Sequence, residues 1–147
     1  MMRHTITAVT VTILAAALVT IGIGPVRAQQ ALDCGFDFSP SRPDVRPPQI
    51  MADALGACDT PPDTHTAIMD LEYRQGSQWV VASTRTDNSI PPPYREGGHH
   101  YSVSAACYAG IWRGAVHIRG GIQGHTFRYD STSDTVEVPD SQCHPRF

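Results

Sequence analysis

The sequence contains no lysine, and its eleven permanently cationic side chains are all arginines. Phosphate-binding loops of nucleotide-hydrolysing proteins end in Lys-Ser or Lys-Thr, so this chemistry is excluded. No Gly-x-Ser-x-Gly motif occurs, which argues against a serine nucleophile on a strand-to-helix turn. No Cys-x-x-Cys pair is present to bind a metal or exchange thiols. These absences favour a protein that is not an enzyme and uses no cofactor.

Positive charge is scarce and scattered. Outside residues 1–28, nine arginines stand against fourteen carboxylates, which gives a formal charge of −5. Nucleic-acid binding requires clustered positive charge that displaces counterions from phosphates. The arginines stand singly among acidic residues, so we expect no nucleic-acid partner.

Residues 1–28 have the pattern of a signal peptide. A short basic start precedes an uncharged apolar run over residues 6–23, Gly24-Pro25 interrupts that run, and Val26-Arg27-Ala28 suits a signal peptidase. The alternative is a retained membrane anchor. However, the run is near the lower length limit for a membrane span, and no basic cluster follows it. We therefore expect a secreted protein that is free of the membrane after cleavage.

The four cysteines, Cys34, Cys58, Cys107 and Cys143, predict two disulfides, because an even number in a short exported chain is typical of structural bridges. Three pairings are possible. We favour Cys34 with Cys58 and Cys107 with Cys143, since each closes a moderate loop. A Cys58–Cys107 bridge, which would join two sheets of a sandwich, remains open.

The remaining chain divides into a proline-rich extended arm at residues 29–48 and a β-sandwich domain at residues 49–147. Apolar residues alternate with polar ones over much of the second part, which is the period of a strand with one buried face. We expect Trp79 and Trp112 to lie in the core. The clearest predicted strand is 64–74, and further strands are predicted at 79–86, 99–107, 111–119, 125–129 and 135–138.

No helical periodicity occurs outside residues 1–28. Short strands separated by closely spaced turn residues predict an all-β fold, an antiparallel immunoglobulin-like sandwich of about six or seven strands.

A further indication lies in the last half of the chain. Cys107-Tyr-Ala-Gly110-Ile-Trp112-Arg113 is followed by Gly120, Gly124, Phe127 and Cys143. This pattern resembles the closing region of small exported proteins of high-GC Gram-positive bacteria, which have a similar length, a signal peptide and a predicted immunoglobulin-like shape. The resemblance implies a bacterial exported domain and no particular activity.

One strand face is a candidate ligand surface. The solvent-facing side of the predicted strand at 111–119 carries Arg113, His117 and Arg119. Tyr94 lies in an earlier loop. Such residues can grip an acidic glycan or a protein partner. We therefore predict a non-catalytic module that binds a protein, a glycan or another cell-envelope component, through this face or through the loop at 87–98.

Two alternative functions are retained. The first is a small metal-dependent or acid/base hydrolase that uses His99 or His100 together with Glu96. The second is a secreted enzyme inhibitor that presents the stiff loop Pro91-Pro92-Pro93, because a preordered loop loses little entropy on docking.

The histidines give only weak candidates for a metal site, and we predict none. His99 and His100 are neighbours on a strand and should point to opposite faces. His117 and His125 flank a glycine-rich reversal and could approach each other if the flanking segments pair. A site needs three or four convergent ligands, which this spacing does not provide.

Overall fold

The computed structural model describes residues 34–144, and the predicted signal peptide lies outside the described residues. The two short 3₁₀ turns, Tyr94–Glu96 and Asp140–Gln142, are the only helical segments between residues 34 and 144. All other regular structure in that range is strand, which confirms the all-β prediction. The strands are β1 (Cys34–Phe38), β2 (Asp44–Arg46), β3 (Gln49–Cys58), β4 (Thr64–Gln75), β5 (Gln78–Asp87), β6 (His99–Ala106), β7 (Gly110–Ile122), β8 (His125–Thr132) and β9 (Val136–Val138).

The strands form two antiparallel sheets. In the first sheet, β6 pairs with one edge of β3, while β1 and β2 pair with successive parts of its other edge. In the second sheet the order is β5, β4, β7, and both β8 and β9 lie along the far edge of β7. If each end-to-end pair is counted as one broken strand, the strands occupy the positions of an immunoglobulin-like sandwich. The predicted fold class is confirmed.

The core lies between the two sheets and follows the period-two pattern. Ala67, Met69 and Leu71 of β4 and Trp112 and Val116 of β7 are all at most 2% exposed. Their neighbours in sequence point outward, because alternate residues of a strand face opposite sides of the sheet. The β4–β5 hairpin, β6 and β7 thus form where the alternation predicts them.

The first sheet departs from the sequence-based expectation. The expected arm at 29–48 includes β1 and β2, which are paired strands of the sandwich. The alternation did not reveal β3, whose buried positions include Ile50, Ala52 and Ala54. Alanine is a poor strand former and gives little contrast with polar neighbours. The ring of Phe38 packs against the same core, and both Phe38 and Ala52 lie close to Gly114 on the facing strand β7.

Two disulfides link the described chain, Cys34–Cys58 and Cys107–Cys143, with Cα–Cα distances of 3.8 and 5.2 Å. The favoured pairing is confirmed, and the Cys58–Cys107 alternative is wrong. The reason is the antiparallel register of β3 and β6. Cys58 lies at the end of β3 near the start of β6, whereas Cys107 follows the end of β6, opposite the start of β3.

The connections cluster at the two ends of the sandwich. The 59–63 connection, the loop at 88–98 and the β7–β8 turn share one end, together with Cys34–Cys58, and we call this the loop end. The Cys107–Cys143 disulfide lies at the opposite end. Cys107 lies opposite Pro48, so about ten residues of β3, or roughly 33 Å, separate the two disulfides.

Candidate functional site

A cavity of about 310 Å³ lies between the two sheets at the loop end. Its volume is at the lower end of the range typical of small-molecule sites. Its walls come from β1, β3 and β6 of the first sheet and from β4, β7 and β8 of the second. We call it the loop-end cavity, and we define it by Phe36, His65, Tyr101, Ile118, Phe127 and Tyr129.

Aromatic rings form much of the cavity wall. The ring of Phe36 lies 5.6 Å from that of Tyr101 and 6.5 Å from that of Tyr129, measured between centroids. Strand parity explains this convergence. Phe127 and Tyr129 pair with Gly120 and Ile118 and therefore share the inward face of the second sheet.

A glycine on β3 makes room for one of these rings. A Cβ atom at Gly56 would lie 2.8 Å from Cε2 of Tyr101 and 3.5 Å from Cδ2 of Phe36. The first distance is shorter than a carbon–carbon contact allows. The absence of a side chain at Gly56 therefore lets the Tyr101 ring lie against β3 and form the cavity wall.

Two residues that line the cavity carry buried polar atoms without a hydrogen-bond partner among residues 34–144: Nδ1 of His65 and Oη of Tyr101. His65 is 6% exposed and Tyr101 is 4% exposed. Native proteins rarely leave buried polar atoms unpaired, because each one costs free energy. This pair of atoms marks the cavity as a place where a polar group of a ligand would be stabilised.

Burial fixes the protonation state of both groups. It lowers the pKa of His65, although a hydrogen bond to the backbone of Ser89 acts in the opposite direction. It raises the pKa of the Tyr101 phenol. At neutral pH the imidazole is therefore neutral and the phenol keeps its proton.

A histidine–carboxylate hydrogen bond lies beside the Tyr101 ring. Nε2 of His99 lies 2.9 Å from Oδ2 of Asp87, and the His99 ring contacts Tyr101 edge-on at 4.7 Å between centroids. Burial disfavours the Asp87 carboxylate, but hydrogen bonds from His99 and Ser89 outweigh burial and lower its pKa to about 2. This pair links the edge strands β5 and β6 of the two sheets.

The residues of the predicted hydrolase site are not brought together. His99 pairs with Asp87, and its neighbour His100 is exposed, as strand alternation requires. The Glu96 carboxylate lies 3.7 Å from Nε of Arg95 on the exposed 3₁₀ turn. His99 therefore contacts the carboxylate of Asp87, and Glu96 does not contact His99 as the predicted hydrolase site requires.

The His117–His125 juxtaposition also fails, although the expected β7–β8 pairing does form. His117 pairs with Asp130, while His125 pairs with Ile122 near the turn. Five residues of strand therefore separate the two levels, or roughly 17 Å. Across residues 34–144, no group of three or more histidine, cysteine, aspartate or glutamate side chains could hold a metal ion.

Carboxylates of the same sheet already contact two residues of the predicted ligand face. Nε of Arg113 lies 2.7 Å from Oε2 of Glu72, and its guanidinium stacks 4.2 Å above the Trp79 ring. Trp79 therefore lies on the outer face of the second sheet, and its predicted place in the core is wrong. Its pairing with Arg74, an outward-facing residue of β4, sets this orientation. Trp112 is fully buried, as predicted.

The other predicted residues of this face are His117, Arg119 and Tyr94, and they lie in different surroundings. Nδ1 of His117 lies 2.6 Å from Oδ1 of Asp130, while Arg119 is exposed. Tyr94 is not on this face, because its hydroxyl lies 3.5 Å from Asp37 on β1 of the other sheet. The four predicted residues therefore do not form one surface.

The proline loop packs against the sandwich. Pro91 and Pro93 are buried, and the carbonyl oxygen of Pro92 accepts a hydrogen bond from the Cys58 N–H. The expectation of a projecting Pro91-Pro92-Pro93 loop is not met, because the prolines close the loop end. The exposed side chains beside it are Ile90 and Tyr94.

Sequence reasoning did not identify the loop-end cavity, although one signal for it was present. His65 shares the parity of Ala67, Met69 and Leu71 in the clearest strand and therefore had to face the core. A histidine on a buried face requires polar partners. The other walls come from five further strands and Pro91, and their convergence depends on the tertiary fold.

Among residues 34–144, no helix is long and apolar enough to cross a membrane. Comparisons of the chain with known proteins find no matching family model, no matching curated protein and no matching solved structure.

Proposed function

We propose that this protein is an exported, non-catalytic β-sandwich module that binds a ligand in its loop-end cavity. The observation that carries this proposal is an aromatic cavity lined by His65 and Tyr101, whose Nδ1 and Oη atoms are buried and have no partner among residues 34–144. A site of this kind, mostly apolar with a few polar groups, is typical of small-molecule recognition.

Several features support binding rather than catalysis. The cysteines at the cavity, Cys34 and Cys58, are joined in a disulfide and offer no thiolate. Asp37 is the one carboxylate on the cavity wall within the described chain, and its carboxylate lies by the Tyr94 hydroxyl on an exposed stretch. A nucleophile with an adjacent base, as covalent catalysis requires, is not assembled from these groups.

Charge favours the cavity over the outer face of the second sheet. Arg113 and His117 already have carboxylates within 2.7 Å. An acidic glycan would have to displace those contacts and would gain little. Nδ1 of His65 and Oη of Tyr101 have no partner within residues 34–144 that a ligand would displace.

Export is supported by the leader pattern and by the two disulfides, because such bridges persist in oxidising compartments. We therefore propose that the module functions outside the cytoplasm and binds its ligand there.

The proposal is tested by titrating a fragment library into the oxidised, ¹⁵N-labelled protein and mapping amide shifts. We expect shifts to cluster at Phe36, Tyr101 and Phe127. Tyr129→Ala should weaken the binding of every cavity fragment at least about tenfold, since it removes a rim wall. Tyr108→Ala is the matched control, because it removes a similarly exposed tyrosine from the opposite end. Shifts centred instead on Arg119, or on the loop tip at Ile90, would contradict the proposal.

A further inference from the structure

Resting on the proposed function, we infer that the ligand is a neutral, ring-bearing molecule with a single hydroxyl group that bonds to Nδ1 of His65 and Oη of Tyr101. The argument uses three properties of the cavity: its hydrogen-bonding atoms, its charge and its walls.

The hydrogen-bonding atoms complement a hydroxyl. In the tautomer that carries its proton on Nε2, the unpartnered Nδ1 of the neutral His65 ring presents a lone pair. The Tyr101 hydroxyl can donate its proton. A ligand hydroxyl donates one hydrogen bond and accepts others, so it can donate to His65 and accept from Tyr101.

The charges near the cavity disfavour an ionic ligand. No arginine contributes to the described cavity wall, so a carboxylate or phosphate would be buried there without a counterion. A cation is disfavoured beside His65, because burying positive charge there is costly and lowers the pKa of that ring. The Asp37 carboxylate on the described wall is exposed and lies by the Tyr94 hydroxyl. The ligand is therefore uncharged at the buried end.

The walls favour a flat apolar ring over a sugar. Phe36, Tyr101, Phe127 and Tyr129 offer faces and edges against which an aromatic or alicyclic ring packs. A pyranose brings several hydroxyl groups, whereas the cavity offers two unpartnered polar atoms. The remaining sugar hydroxyls would be buried without partners, at a cost for each.

The test uses a matched set of probes on the oxidised protein: 2-naphthol, naphthalene, 2-naphthoate, 2-naphthylmethylammonium and methyl β-glucoside. We expect 2-naphthol to bind about tenfold or more tightly than naphthalene, and the two ions and the glucoside to bind more weakly than naphthalene. Calorimetry gives the affinities, and two-dimensional NMR places each probe.

A conservative variant isolates the hydroxyl contact. Tyr101→Phe keeps the ring and removes Oη, so it should lower the affinity for 2-naphthol about fivefold or more and leave that for naphthalene unchanged. Ser102→Ala, at the neighbouring position on β6, is the control and should change neither. His65→Gln, which keeps an acceptor, should retain a preference for 2-naphthol.

The outcomes separate the two proposals. If naphthalene and 2-naphthol bind the cavity equally, or if an ion or the glucoside binds best, the ligand class is wrong and the cavity remains a binding site. If no probe shifts the cavity amides of the folded protein, both proposals fail. If nuclear Overhauser effects place the side chain of Leu32 against Phe36 and Phe127, the chain fills its own cavity and both proposals fail.

Discussion

Nε2 of His99 lies 2.9 Å from Oδ2 of Asp87, and this contact joins edge strands that belong to different sheets. Main-chain hydrogen bonds hold each sheet together internally, whereas within residues 34–144 the two sheets meet through side chains and connections. A charged hydrogen bond between their edges therefore fixes their separation beside the loop-end cavity. Tyr101 lies against the same His99 ring, so the pair also steadies one cavity wall.

Asp87→Asn should destabilise the protein by about 1 kcal/mol, because a charge-assisted hydrogen bond becomes a neutral one in a partly exposed place. The pKa of Asp87 is lowered to about 2 in the fold, so its contribution is present above the unfolded value of about 4. That contribution is lost as pH falls from about 4 towards 2. Chemical denaturation at pH 7 and at pH 2.5 measures the difference, and Asp59→Asn, an exposed carboxylate, is the control. A variant whose deficit is the same at both pH values would contradict this account.

Burial of His65 should also make the stability of the fold depend on pH, in a range nearer neutrality than that of Asp87. Because burial lowers its pKa, the unfolded chain binds a proton here more readily than the folded chain does. Stability should thus decrease as the pH falls below the unfolded value of about 6.5. His65→Gln should show a shallower fall in melting temperature between pH 7 and pH 5 than the parent protein. His100→Gln, at an exposed site, should keep the parent slope, and equal slopes in all three proteins would disprove the assignment.

The two disulfides should differ in what their loss affects. Each closes a loop of moderate length and should stabilise the fold by about 3 kcal/mol. Cys34→Ala/Cys58→Ala should reduce both stability and fragment binding, since this bridge borders the cavity. Cys107→Ala/Cys143→Ala should reduce stability alone, as measured by urea denaturation and by affinity at a temperature where both variants are folded. Equal losses of affinity in both variants would argue against a site at the loop end.

Gly56→Ala should displace the Tyr101 ring, because the new methyl group would meet Cε2 at 2.8 Å. Overpacking of this kind typically costs about 1–3 kcal/mol. Gly121→Ala is the matched control on β7, where the nearest atom, Oγ1 of Thr64, is 3.2 Å away on a side chain that can rotate. Melting temperatures and the aromatic NMR signals of Tyr101 provide the measurement. An unshifted Tyr101 signal in Gly56→Ala would show that the ring does not depend on this glycine.

The sequence predicts the second sheet better than the first for a physical reason. β4 and β7 bury large residues such as Met69, Leu71 and Trp112 against polar neighbours, so their period of two is plain. β3 buries alanines, whose small side chains carry little signal, although it is the central strand of its sheet. The prolines around β1 and β2 suggested an arm because proline weakens strands, yet these are edge strands, where proline is tolerated.

The site is harder to predict than the fold. Alternation places His65 and Tyr101 on inward faces, but it does not show that they border one cavity. Their proximity depends on how two sheets stack, which is a property of the whole chain. Trp79 illustrates the same limit, since its outward position follows from its pairing with Arg74 and from a stacked arginine supplied by β7.

The separation of the two disulfides determines where the protein can be labelled, fused or immobilised without blocking the cavity. Cys34 borders the cavity, whereas Cys143 lies roughly 33 Å away at the far end. A tag, a fluorophore or a solid support joined after Cys143 would leave the cavity mouth pointing away from the attachment. A fusion partner joined directly before Cys34 would stand beside the entrance and obstruct it.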